Sequence, residues 1–280
     1  MVAGRPERLL TGCHKLPIGG DMHQFSGKVL LVTGGSRGIG AATAAEFVKR
    51  GGRVAIGDVL LEQGQEFAEG LGGDKALFLS TDVRDPEACS ALVDAAVKKF
   101  GRVDYLVNSA IKMAPGPLAS LPLADWRTVI DVGLTGTFLM TQAFGRWLID
   151  NKQPGAAVNL SSMAGFQPYG ASGAYSTVKA ALLMLGEHFA IEWASKGIRV
   201  NSIAPGHIET PLTAYLKDPE IKKARSGVTP LGRVGQTSDV VGGILFLLSD
   251  EALYITATHL VIDGGVIKSI FNHFPGRKWD

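Results

Sequence analysis

A chain of 280 residues, 46% hydrophobic and 19% charged, is long enough for one large core and close to the size at which cores split, so one domain is expected. Its net charge of +2, with Lys and Arg scattered rather than gathered on a stripe, implies neither nucleic acid nor an anionic membrane as partner. Two unrelated cysteines, Cys13 and Cys89, give no disulfide framework or metal-ligand spacing, and no apolar run approaches a membrane span, so a metal-free cytoplasmic protein is expected.

Residues 1–25, rich in Gly, Pro and Arg without a period, read as an arm ahead of a domain over 26–265, with a tail over 266–280. From Lys28 the apolar run Val-Leu-Leu-Val-Thr stops at three spaced glycines, Gly34, Gly38 and Gly40, and helix-tolerant residues follow. This is a strand, a glycine turn and a helix. The helix N-terminus offers unpaired N–H groups and partial positive charge, and residues without side chains let a diphosphate reach the backbone. The next apolar run ends at Gly57-Asp58, placing a carboxylate about twenty residues on, where a ribose hydroxyl would sit. The turn also spells Gly34-Gly35-Ser36-Arg37-Gly38, a nucleophile-elbow pattern, but almost no sheet precedes it to carry an oxyanion motif.

Apolar runs then alternate with helix-period segments. Strands are expected at Val29 to Thr33, Arg53 to Asp58, Ala76 to Ser80, Val103 to Asn108, Ala157 to Leu160, Val200 to Ala204 and His259 to Ile262. Seven strands separated by helices mean α/β class, a single-domain Rossmann-like doubly wound parallel sheet with helices on both faces. Ligands bind such sheets beyond the strands' carboxyl ends, where Asp58, Asp82, Asn108 and Ser161-Ser162 fall. Each also has a plainer reading as a helix cap, above all Asp82, three residues ahead of Asp85-Pro86.

Between Leu160 and Ala181 a strand end, a Gly-rich loop and a helix start carry Ser162, Tyr175 and Lys179. Tyr and Lys four apart share a helix face, and an adjacent cation is expected to lower the phenol pKa from about 10, making a general base.

On these residues the sequence resembles the short-chain dehydrogenase/reductase family, from about Lys28 to Gly265. Thr33 to Gly40 resembles the family's Thr-Gly-x-x-x-Gly-x-Gly turn, Asn108-Ser109-Ala110 the start of its Asn-Asn-Ala-Gly segment, and Tyr175 with Lys179 its Tyr-x-x-x-Lys, with Ser162 thirteen residues before Tyr175. Ala204-Pro205-Gly206 with Thr210-Pro211 resembles the stretch that touches nicotinamide, and Asp263-Gly264-Gly265 the usual ending. The resemblance implies reversible hydride transfer between nicotinamide and a secondary alcohol or ketone. Tyr175 would move the hydroxyl proton, Lys179 would lower its pKa and bind ribose, and Ser162 would hold the substrate oxygen. Cofactor contacts are implied for Gly34, Ser36, Arg37, Gly38, Ile39, Gly40, Asp58, Asp82, Val83, Asn108, Ala110, Tyr175, Lys179, Pro205, Gly206, Ile208 and Thr210.

Two positions depart from the family pattern: Ile111 stands where it has Gly, and Gly133 where it has the Asn that completes a catalytic tetrad. That Asn is thought to act largely through its backbone carbonyl, so Gly133 keeps the role if the helix is locally distorted, as glycine favours. Substrate walls are implied at Met163, Phe166, Tyr169, His207, Leu212 and Tyr215, mostly apolar, suiting a medium-sized alcohol or ketone, cyclic ones included. Thr213 to Thr229 reads as a mobile lid or an ordered surface helix. Alternatives are a 3-oxoacyl-thioester reductase and a catalytically weak cofactor-binding scaffold. Asp58 favours NAD, since a 2′-phosphate would bring negative charge beside it, and no second basic residue joins Arg37. Surplus apolar positions on the helices Asp125 to Asp150 and Ala174 to Ser195, among them Phe138, Phe144, Leu182 and Phe189, and tail residues Ile270, Phe271, Phe274 and Trp279, suggest a homotetramer.

Overall fold

The structure is a computed structural model that describes residues 24–269 and 272. In chain order its elements are β1 (Val29–Thr33), α1 (Gly38–Lys49), β2 (Arg53–Asp58), α2 (Leu61–Leu71), β3 (Ala76–Ser80), α3 (Pro86–Phe100), β4 (Tyr105–Asn108), α4 (Leu123–Ile130), a π-helical turn (Asp131–Thr135), α5 (Gly136–Asp150), β5 (Gly155–Leu160), α6 (Tyr175–Trp193), β6 (Ile198–Pro205), a 3-10 segment (Pro211–Lys217), α7 (Pro219–Gly227), α8 (Thr237–Leu248) and β7 (His259–Ile262). The seven strands pair in the order β3-β2-β1-β4-β5-β6-β7, every pair parallel.

The strands are near-continuous apolar runs because both faces of the sheet are covered. Side chains alternate across β1, so Leu30 and Val32 join Phe47, Ile56, Val240 and Ile244 on the α1/α8 face. Val29 and Leu31 join Leu92, Leu106, Phe144 and Phe189 on the α3/α5/α6 face. The chain runs outward from β1 to β3 and then returns to β4 beside β1, which leaves a crevice at the carboxyl ends where the order reverses.

The seven expected strands all form. Phe25 belongs to the core rather than to an arm, its ring 4.4 Å from that of Phe47. The single helix expected over 125–150 is interrupted by the π-helical turn at Asp131–Thr135, the distortion anticipated at Gly133. The segment 213–229 forms the end of the 3-10 segment and then α7, capped by Asp218, whose carboxylate accepts from the N–H groups of Glu220 and Ile221. Of the apolar positions expected in surplus, Phe144, Leu182 and Phe189 are consumed by the core. Phe138 (38% exposed), Met184 (55%) and Ile191 (74%) are what α5 and α6 leave outward. Ile270, Phe271, Phe274 and Trp279, with residues 1–23, lie outside the described residues.

Candidate active site

A cavity of about 490 Å3 opens along the carboxyl ends of the strands. One end is the glycine turn. Gly34 has a positive φ of 62°, and a methyl group there would come within 2.8 Å of Ala110 Cα, so the loop after β4 lies directly on the turn. Gly38, φ 61°, starts α1, and a methyl group there would meet only Thr210 and Pro211, at ordinary contact distances of 3.8–4.0 Å. No side chain caps α1, which leaves its first N–H groups free for an anion.

Asp58 ends β2 facing this turn. Its Oδ2 accepts from Ser36 N at 3.1 Å and its Oδ1 from Leu60 N at 3.2 Å, so the carboxylate is fixed at the cavity wall. Arg37 stands on the same wall with no carboxylate partner among the described residues. Asp82 is held by Arg84, whose Nη2 lies 2.5 Å from Oδ2, and that guanidinium keeps the carboxyl below its ordinary pKa. The cap of α3 is Asp85 instead, which accepts from Glu87 N at 2.9 Å, so the capping explanation for Asp82 does not hold.

At the other end stand Ser162, Tyr175 and Lys179. Ser162 caps a 3-10 turn over Met163–Gly165, accepting from Ala164 N at 3.1 Å. Its side chain also hydrogen-bonds to the phenol of Tyr175, the first residue of α6. Lys179, one turn on and buried, donates from Nζ to the Leu160 carbonyl at 2.5 Å. Its own carbonyl accepts from the Ser161 hydroxyl at 2.6 Å, which ties α6 to the end of β5.

The expected electrostatics are corrected here. Burial pushes the Tyr175 phenol up to about 12, only partly offset by the Ser162 hydrogen bond. Burial pushes the Lys179 amine down to about 7. Each group moves toward its neutral form because loss of hydration is the largest effect on both. Spacing brings the two together, with Nζ 5.5 Å from the ring centroid, but does not by itself lower the phenol pKa.

The wall takes in Gly34, Arg37, Gly38, Ile39, Asp58, Asp82, Val83, Ala110, Ser162, Tyr175, Lys179, Pro205, Gly206, Ile208, Thr210 and Leu212. Ser36, Gly40, Asn108 and Gly133 lie behind it. Asn108 is corrected from a cofactor contact to a buried tie, its Nδ2 donating to Thr141 Oγ1 at 2.8 Å and Asn159 Oδ1 at 2.9 Å. Of the substrate positions, Leu212 is on the wall, whereas Met163, Phe166, Tyr169, His207 and Tyr215 are set beyond it. Tyr169 and Tyr215 are nevertheless close enough to Tyr175 for their phenols to raise its pKa. Sequence reasoning missed Val59, Leu60, Thr81 and Arg84, which follow the strand ends and were open to that rule, and Lys112, Thr128 and Val132, which only the packing of the β4 loop brings in.

The two departures from the family pattern touch each other. A methyl group on Gly133 would meet Ile111 Cδ1 and Val178 Cγ1, both at 2.7 Å. Ile111 thus fills the room that a side chain at 133 would need. The Gly133 carbonyl accepts from Thr137 Oγ1 at 2.8 Å.

The donor set suits a nicotinamide dinucleotide: an uncapped helix start and Arg37 for the diphosphate, Asp58 for a ribose diol, and the Tyr175/Lys179 pair at the far end.

Comparison with known proteins gives the same direction. The family model described as enoyl-(acyl carrier protein) reductase matches residues 34–267. A 2,5-dichloro-2,5-cyclohexadiene-1,4-diol dehydrogenase of Sphingobium indicum is 37% identical over 87% of this chain and 97% of its own. A cis-4-hydroxycyclohexanecarboxylate dehydrogenase of Sinomonas cyclohexanicum is 39% identical over 86% of this chain and 97% of its own. A solved short-chain type dehydrogenase/reductase from Mycobacterium ulcerans superposes with TM-score 0.82 at 32% identity, covering 88% of this chain and 91% of that one.

Gly133→Asn alone should overpack the site and lower stability by roughly 1–3 kcal/mol, while Ile111→Gly with Gly133→Asn should recover most of it. Denaturant titrations that found the two changes additive within about 0.5 kcal/mol would contradict the contact. For Lys179, burial lowers the folded-state pKa to about 7 from 10.5, so the unfolded chain holds the proton more tightly. The amine therefore weakens the fold below about pH 7, and the penalty lifts as pH rises toward 10.5. Lys179→Met should raise Tm at pH 7, by about 2–4 °C for each kcal/mol relieved, and raise it less at pH 10. A gain that grew with pH would refute the sign.

Proposed function

The chain belongs to the short-chain dehydrogenase/reductase family and is an oxidoreductase working with a nicotinamide cofactor, and on that premise we propose that it interconverts a secondary ring alcohol and its ketone with NAD as cofactor. The observation that carries this reading is the Ser162, Tyr175 and Lys179 group at one end of a cavity whose other end is a glycine turn with a fixed carboxylate.

The cofactor, when bound, accepts or supplies the hydride. Gly34, Arg37, Gly38 and Ile39 would hold its diphosphate, Asp58 a ribose, and Pro205, Gly206, Ile208 and Thr210 its nicotinamide end. Ser162 would fix the substrate oxygen by hydrogen bond, and Tyr175 Oη would give it a proton in ketone reduction or take one in alcohol oxidation. A phenol pushed up to about 12 is protonated at rest, which suits the first role directly. For the second, Ser162 is the group already pulling the phenol pKa down. Lys179 lies beneath the ring to share the charge as it forms.

Support for a ring alcohol comes from the names of the two relatives and from half-exposed Phe166, Tyr169, Leu212 and Tyr215 around the site. As part of the same reading, the protein works as a cytoplasmic homotetramer. Exposed Met184 and Ile191 support the assembly, and no helix among the described residues is long and apolar enough to cross a membrane.

NAD is favoured over NADP because the Asp58 carboxylate is held by two backbone N–H groups and cannot swing away from a 2′-phosphate. Two unit charges about 4 Å apart at an effective dielectric of about 20 repel by about 4 kcal/mol, and half of that exceeds tenfold in affinity.

Tyr175→Phe keeps the ring packing and removes the proton, so kcat should fall roughly 10²- to 10⁴-fold, measured on a cyclohexanol series with NAD. Near-normal turnover would discard the mechanism. Asp58→Ala should cut the NAD over NADP preference in kcat/KM by tenfold or more. A wild type that already prefers NADP would show that Asp58 is not the selector.

A further inference from the structure

The strand-β6 loop that walls the cavity is covered by α7, and two side chains on one face of that helix tether it. Lys222 forms an ion pair with Glu209. Arg225, three residues on and so on the same face, puts Nη1 3.5 Å from Nε2 of His207. The residues flanking His207, Gly206 and Ile208, are cavity wall. The two tethers are chemically unlike. Lys222 meets a carboxylate, whereas Arg225 meets an imidazole that must be the acceptor, since a guanidinium only donates.

His207 is buried, and burial together with the Arg225 charge lowers its pKa to about 4, so the ring stays neutral. Among the described residues no carboxylate lies within ion-pair distance of Arg225. A planar fork with five donors is therefore oriented by one neutral acceptor and left with its remaining donors uncommitted. Tyr169 connects this cation to the chemistry: the Arg225 charge draws its pKa down against burial, and Tyr169 in turn raises that of Tyr175.

We propose that Arg225, steadied by His207 on the face of α7 that meets the loop after β6, receives a carboxylate carried by the substrate at the end remote from the alcohol presented to Tyr175. The substrate class is then a hydroxycycloalkane carboxylate rather than a neutral ring alcohol. This rests on the oxidoreductase reading for the alcohol end alone; the anion site itself stands on the α7 geometry. Arg225 is exposed and stands outside the cavity wall until a substrate covers it; an arginine–carboxylate contact is charge-assisted and directional, and tenfold or more in affinity is its ordinary scale once the pair is partly desolvated by the ligand.

The test uses two probes of one shape, cyclohexanecarboxylate and the uncharged cyclohexanecarboxamide, titrated calorimetrically into the full-length protein with NADH present. Wild type should bind the carboxylate at least tenfold more tightly, with the ratio shrinking as salt is raised. Arg225→Gln should bring the ratio close to one, and Arg225→Lys should keep part of it, thermal melts establishing that each variant is folded. Equal binding of the two probes by wild type, no binding of the carboxylate at all, or an unchanged ratio in Arg225→Gln would overturn the proposal. Turnover of 4-hydroxycyclohexanecarboxylate is followed in parallel. An intact binding ratio without turnover supports the anion site and removes the proposed ring-alcohol reaction at the Tyr175 end instead.

Discussion

The end of β5 and the start of α6 are locked together by the buried amine of Lys179, and the rest of the site depends on that lock. A buried ammonium without a partner would cost several kcal/mol or simply lose its proton. Here the Leu160 carbonyl accepts from it at 2.5 Å, and the Ser161 hydroxyl answers from the other side by bonding the Lys179 carbonyl. The approach is so close that a methyl group on Gly165 would come within 2.7 Å of the Lys179 carbonyl oxygen. Once α6 is seated this way, Tyr175 must fall one turn nearer the cavity, beside Ser162 at the strand end. The catalytic geometry follows from backbone docking, and the partly neutral amine is its electrostatic consequence.

The sheet was legible because each strand is apolar on both faces and is bounded by glycine or a polar residue, a signal that survives without knowing the partners. Tyr175 and Lys179 were legible because spacing on a helix fixes a shared face. Hydration is not encoded in spacing, which is why the direction of the Tyr175 shift was misread. Asn108 shows the same limit at a strand end. The polar punctuation there is real, but the side chain turns inward to Thr141 and Asn159 rather than outward to a ligand. The outer substrate wall depends on which loops meet, as where Gly116 bridges Ser172, and no local period reports that.

Ile111 and Gly133 change meaning when taken together. Apart, each reads as damage to a family pattern; in contact, a larger residue on the β4 loop occupies what a smaller one on the π-helical turn vacates. The exchange keeps the packing against Val178, and hence the register of the residue after it, Lys179. It also leaves an apolar branch on the cavity wall at Ile111 where the family has glycine. The departures are thus a repacking beside the active group, with the π-helical turn retained.

Charge on the cavity wall completes the argument about ligands. Arg84 is committed to Asp82, whereas Arg37 and Lys112 have no carboxylate partner among the described residues. Asp58 satisfies two backbone N–H groups, so it tunes the turn as well as the wall. A ligand with negative charge between its ends and hydroxyls at one of them complements this order: cations where phosphates pass, and a fixed carboxylate where a diol sits. At the opposite end the wall itself carries the buried Ser162, Tyr175 and partly charged Lys179, with Arg225 outside it on α7, and burial with few waters is the environment in which a proton moves with little reorganisation.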